Sequence, residues 1–149
     1  MKRQKKLFLI FNFTVPLFVG AMIYYFLSPD VVFVKIIDEL IGKRPEFLGA
    51  TYFYSLLEDY YVVKLARCYL LDGLWGYALV FALYYIFSNN TANLTKIFFM
   101  AFAFSTFLEI LQLTSLAKGT FDFIDIGALF LAEIFAVFII KNTHEEAIK

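Results

Sequence analysis

Leu7–Leu27 runs for 21 residues without a charged side chain. As an α-helix it rises about 30 Å, the thickness of a bilayer's hydrocarbon core. Inside lipid the backbone must satisfy its own hydrogen bonds, so only helices and closed barrels cross. Ile97–Leu116 and Phe121–Ile140 are further apolar runs of spanning length, and Asp72–Phe87 is a shorter one that can extend back through Tyr69–Leu71. The chain is therefore expected to be all-α: a polytopic integral membrane protein of one 149-residue domain with four transmembrane helices at about 7–27, 72–87, 97–116 and 121–140. Composition agrees, because 62% of the residues are hydrophobic against roughly 45–50% in soluble domains. Pro16 does not break the first span, since lipid-embedded helices tolerate proline better than soluble ones.

Lys2, Arg3, Lys5 and Lys6 ahead of this run imitate a secretory signal. The run is long for a signal's apolar region, however, and Ser28-Pro29-Asp30 offers no small-residue cleavage site, so an uncleaved first span is expected. Between spans one and two, Ser28–Leu71 is too structured in pattern for a plain loop. Ser28 suits a helix cap, Pro29 its first turn and Gly42 its end. Val32, Phe33, Ile36, Ile37, Leu40 and Ile41 form an apolar stripe, with Lys35, Asp38 and Glu39 facing elsewhere. That pattern, and the short apolar stretch Phe47–Leu57, predict interfacial helices in the first outer loop. Tyr52, Tyr54, Tyr60, Tyr61 and Tyr69 suit the headgroup belt, as do Trp75 and Tyr77.

Basic residues flanking the first span place the N-terminus in the cytoplasm. Alternation then puts Ser28–Leu71 and Thr114–Thr120 outside, with Ser88–Lys96 and the Lys141–Lys149 tail inside. Seven basic residues inside against six outside make the bias small over the whole chain. A formal net charge of zero and the lack of a basic stripe exclude nucleic acid as a partner. One cysteine, Cys68, allows no internal disulfide.

This topology gathers the polar residues of the spans at one end. Asp72 opens span two, Glu109 and Gln112 close span three, and Asp122 and Asp125 open span four, with Arg67 and Lys118 at the rim. Glu109 and Gln112 are three residues apart, as are Asp122 and Asp125, so each pair shares a helix face. Inverting the whole protein would move this cluster to the other compartment without dispersing it. Acids at helix N-termini gain from the macrodipole, which suits Asp72, Asp122 and Asp125. Glu109 lacks that help and needs a cation, a proton or Gln112. Asp72 and Asp122 are equally well explained as helix caps. Glu109 with Gln112 is less easily reduced to interhelical packing, because an acid at bilayer depth costs about 2.5–3.5 kcal/mol on insertion scales. Glu133, eleven residues past Asp122 and deeper, has an open role, and His144 in the polar tail has none.

Two stretches resemble the VanZ-like membrane proteins. Arg67-Cys-Tyr-Leu-Leu-Asp72-Gly-Leu-Trp75 is similar to the family's Asp and Trp, three residues apart, ahead of a core helix. Glu109-Ile-Leu-Gln112 followed by Lys118-Gly-Thr-Phe-Asp122-Phe-Ile-Asp125 resembles its Glu-x-x-Gln, then glycine and aromatic, then Asp-x-x-Asp opening the last span. Together with the four-span plan the likeness covers most of Tyr60–Ile140. Leu71 stands where a proline is common, Cys68 where an asparagine is, and Lys118 where an arginine is. Leu129, Ala132 and Glu133 replace an asparagine and packing glycines. The resemblance implies a bacterial cytoplasmic-membrane protein of the cell envelope, in a family named for a member associated with teicoplanin resistance.

Three functions compete for the acids. A non-enzymatic envelope protein would bind a ligand or partner there: an envelope lipid, a glycopeptide or another amphiphilic drug, or a metal ion. A membrane enzyme acting on a lipid-linked precursor would hold a divalent cation, the one cofactor that clustered carboxylates suggest, although no nucleophile arrangement accompanies them. A proton or cation relay through Asp125, Glu109 and Glu133 is the third, weakened because no internal repeat is visible. The predicted orientation is tested by labelling Cys68 with a membrane-impermeant thiol reagent in intact cells. Labelling is expected; reaction only after permeabilisation would invert the topology.

Overall fold

A computed structural model describes residues 3–27, 36, 39–40, 65, 69–87, 93–114 and 121–146. These form four α-helices: α1 Arg3–Leu27, α2 Leu71–Phe87, α3 Leu94–Leu111 and α4 Phe123–Glu146. Three of them, α1, α3 and α4, are long and apolar enough to cross a membrane. α2 is equally apolar but has 17 residues, and Tyr69–Leu70 adds a π-type turn at its start. The all-helical expectation holds among the described residues; the interfacial helices expected in 28–71 lie almost wholly outside them.

Helix bounds shift where local chemistry decides them. α1 begins at Arg3 and α4 continues to Glu146, each running past its apolar stretch, because a helix does not need lipid to continue. α3 stops at Leu111 rather than Leu116: Gln112, Leu113 and Thr114 turn back onto the carbonyls of Glu109, Ile110 and Leu111. α4 starts at Phe123, leaving Asp122 just outside it.

Contacts between helices give the order and direction of packing. α1 meets α2 through Phe8 on Phe81, ring centroids 6.1 Å apart, and through the Tyr77 hydroxyl, which donates to Asn12 Oδ1 at 2.7 Å. Farther along, Gly20 lies beside Leu71. The two helices are therefore antiparallel. Tyr77 lies about six residues, roughly 9 Å, along α2 from Leu71, in a ring cluster with Phe81 and Phe135. α2 and α4 run in the same direction, and α3 runs against both.

Sorting of side chains is the reverse of a soluble protein's. Phe11, Phe18, Phe99, Phe107, Leu131 and Phe138 are exposed, while Ser105, Glu109 and Glu133 are buried. Only 11%, 28% and 22% of the apolar windows of α1, α3 and α4 are buried, so most of that surface is suited to lipid rather than water. At one end the core is a cluster of hydrophobic residues, Leu9, Val80, Phe81, Tyr84, Leu94, Ile97, Ala101, Ala136 and Ile140. Every lysine and arginine of the described helices, from Arg3 and Lys6 to Lys96 and Lys141, is at or beyond that end.

Lipid offers no hydrophobic force between helices, so close backbone approach must hold them. The seam between α2 and α4 is made of small residues for this reason. A Cβ on Gly76 would lie 3.0 Å from Leu129 Cδ2 and 3.3 Å from Glu133 Cγ, whereas one on Gly73 would meet the Ala132 Cβ at 3.7 Å. Gly76→Val is therefore expected to cost about 1–3 kcal/mol by overpacking. Gly73→Ala should be neutral or slightly stabilising, because it gains helix propensity without a clash. Reversible unfolding in mixed micelles reads both; equal effects would show that the seam is looser than this.

Candidate functional site

Polar residues of α2, α3 and α4 lie in two tiers on their facing surfaces. The outer tier is Asp72, Glu109 and Asp125. The inner tier is Gly76, Ser105 and Glu133, one turn deeper on α2 and α3 and two turns deeper on α4. Helical spacing produces this: 72 and 76, 105 and 109, and 125, 129 and 133 each fall on one stripe.

In the inner tier Glu133 is fully buried, and the Ser105 hydroxyl, itself 1% exposed, donates to its Oε1 at 2.8 Å. Its second oxygen has no hydrogen-bond partner among the described residues. The missing side chain at Gly76 leaves the room that the Glu133 carboxyl fills, 3.4 Å from where a Cβ would stand. Glu133 is thus a structural link between α3 and α4 and abuts α2. Its face is that of Asp125 and Leu129.

In the outer tier the acids repel one another. Asp72 feels both Asp125 and Glu109, Glu109 feels Asp125, and Asp125 feels Asp122. Glu109 is 6% exposed and takes a side-chain hydrogen bond from Gln112, which sits on the turn just past α3. Its Oε2 is left without a partner, and so is Asp125 Oδ1. Two buried carboxylate oxygens from two different helices are therefore unsatisfied among the described residues, a costly arrangement away from water.

Of the sequence-derived candidates, Asp72, Glu109 and Asp125 are brought together, and Gln112 supports Glu109. Asp122 is placed as a cap: its Oδ1 accepts from the Ile124 backbone N–H at 3.0 Å, satisfying one of the free donors at the start of α4. It adds negative charge beside Asp125 from that position. Arg67 and Lys118 lie outside the described residues. Among the described residues no group of three or more His, Cys, Asp or Glu has the convergence needed to hold a metal ion. The acids are close enough to sense each other's charge.

Sequence reasoning singled out Glu133 as an acid able to pair across the bundle, and the Ser105 bond is such a pairing; what it missed is Ser105 itself and the close approach at Gly76. Ser105 reads as an ordinary small residue in an apolar helix, and only its four-residue offset from Glu109 marks it as sharing that face. Gly73 and Gly76 carried the signal for a close seam through their own spacing. No protein-family model, curated protein or solved structure matches the chain.

The Ser105–Glu133 bond is tested by a double-mutant cycle. Ser105→Ala alone should lower stability by about 1–2 kcal/mol, since it strips a hydrogen-bond donor from a buried carboxyl. In a Glu133→Leu background the same change should cost far less. Additive losses would mean that the two side chains do not interact.

Proposed function

We propose that this protein is a multi-pass envelope protein of the VanZ-like kind, residing in the bacterial cytoplasmic membrane with both termini in the cytoplasm. All four helices span, and the Asp72–Glu109–Asp125 cluster faces the outer lipid–water boundary. There it binds a cationic group, without catalysing a reaction, and through that binding it alters susceptibility to glycopeptides such as teicoplanin. The observation that carries this reading is the pair of oxygens, Glu109 Oε2 and Asp125 Oδ1, that have no hydrogen-bond partner among the described residues, on helices that also confront Asp72. An array of like charges costs free energy in the empty protein, and a cation entering it removes that cost.

The segregation of charge supports the reading further. The lysines and arginines of the described helices lie at or beyond the far end, as cytoplasmic flanks should. Between the two ends lies the apolar floor built around Phe81, Ile97 and Ile140. A cation taken up at the mouth meets hydrocarbon side chains beyond Glu133, so the geometry favours holding over passage.

Calorimetric titration of the nanodisc-embedded protein with benzyltrimethylammonium tests the cluster. Saturable binding is expected, falling at least tenfold in the combined Asp72→Asn, Glu109→Gln, Asp125→Asn variant. Teicoplanin sensitivity of a strain expressing wild type should differ from that of the same strain expressing this variant. Unchanged titration would remove the binding claim, and equal sensitivity would remove the link to glycopeptides.

A further inference from the structure

Cation binding at the outer tier gives Glu133 no part, although this acid is fully buried and its Oε2 has no hydrogen-bond partner among the described residues. Three helices surround it. α2 presents Gly76, where an added Cβ would stand 3.3 Å from Glu133 Cγ and 3.4 Å from its Oε1. α3 presents Ser105, and α4 itself supplies Leu129, one turn away on the same face. The ionisable groups along these stripes are not cations. On α2, Asp72 lies one turn above Gly76 and Tyr84 two turns below it. On α3, Glu109 is one turn above Ser105, and on α4 Asp125 is two turns above Glu133. Lys96 and Lys141 are two turns or more deeper on α3 and α4, and both are exposed. Among the described residues, then, no positive charge is placed to pair with Glu133.

Counting hydrogens shows what meets it instead. Ser105 Oγ stands 2.8 Å from Glu133 Oε1 and 3.2 Å from the carbonyl oxygen of Phe102. A hydroxyl owns one hydrogen and two acceptor lone pairs. With Glu133 ionised, both neighbours of Ser105 are acceptors, and a single hydrogen has to serve the two. With a proton on Glu133 Oε1 the count closes. That O–H donates to Ser105 Oγ, and the Ser105 O–H donates to the Phe102 carbonyl, as serines inside helices commonly do. A 2.8 Å separation of two oxygens fits a hydrogen on either side of it. Both arrangements tie α3 to α4, but only the second leaves no bare charge in the seam. A carboxyl taken out of water without a counter-charge is far cheaper as the neutral acid.

We propose that Glu133 is a proton-binding site: the acid is neutral while α2, α3 and α4 are closed around it, and its proton is the latch of that seam. This stands apart from whatever the outer cluster binds. When the proton leaves to water, the electron pair stays on the carboxylate. The new charge lies against the α2 backbone at Gly76 and below the acids Glu109 and Asp125. Water reaches it only if the helices part. The closed bundle therefore holds the proton more tightly than an opened one, so closure is favoured at low pH and weakens as pH rises.

Infrared spectra of the full chain in ester-free maltoside micelles at neutral pH test the proton. They are recorded in the Asp72→Asn, Glu109→Gln, Asp125→Asn background, where the outer acids are silent. Adding Glu133→Gln is expected to remove a carboxylic-acid carbonyl band and leave carboxylate absorption unchanged. Loss of carboxylate absorption instead would overturn the proposal. Should Glu133→Gln fold poorly, Ser105→Ala reads the same site: it takes the acceptor from the Glu133 O–H and should move that band to higher wavenumber. An absent or unmoved band would count equally against the site. In the same background the folding equilibrium constant in mixed micelles should fall with rising pH, by up to about tenfold per pH unit, the slope of a single proton. Glu133→Gln should flatten that profile, and parallel profiles with and without it would show that the seam has no such latch.

Discussion

Helices in hydrocarbon gain nothing by hiding apolar surface from a solvent that is equally apolar, and the rest of this bundle follows from that. What remains is close packing of backbones and hydrogen bonds between polar side chains. This chain uses both at one place. Gly76 admits the side chains of Leu129 and Glu133 against α2, and Ser105 reaches from α3 to the same carboxyl. Three helices are thereby brought together around one acid, with exposed phenylalanines on the outside.

That arrangement also decides where the outer acids sit. Asp125 is two turns above Glu133 on α4, and Glu109 is one turn above Ser105 on α3. Fixing the inner pair therefore sets the separation of the outer pair, with no direct bond between them needed. Asp72 follows because the Gly73–Gly76 stripe sets the register of α2 on α4. The like-charge array is maintained by packing beneath it, which is how a protein can keep a polar constellation that its own members oppose.

The four helices were legible because unbroken apolar runs leave few alternatives, and the end at which the acids gather followed from counting turns. Less legible were the ends of helices. Leu111 stops α3 because Gln112, Leu113 and Thr114 fold back on its last carbonyls, a choice that hydropathy does not record. Asp122 fits the cap reading because a side chain that bonds its own helix start is indistinguishable by residue type from one aimed at a ligand. Tyr77 suits a headgroup belt by residue type, and the sequence does not record that its hydroxyl bonds an asparagine of α1, about six residues or roughly 9 Å along α2 from Leu71. Ser105 went unread because a lone serine in an apolar helix normally bonds a preceding carbonyl, and its hydroxyl here lies 3.2 Å from the Phe102 carbonyl as well as 2.8 Å from Glu133 Oε1.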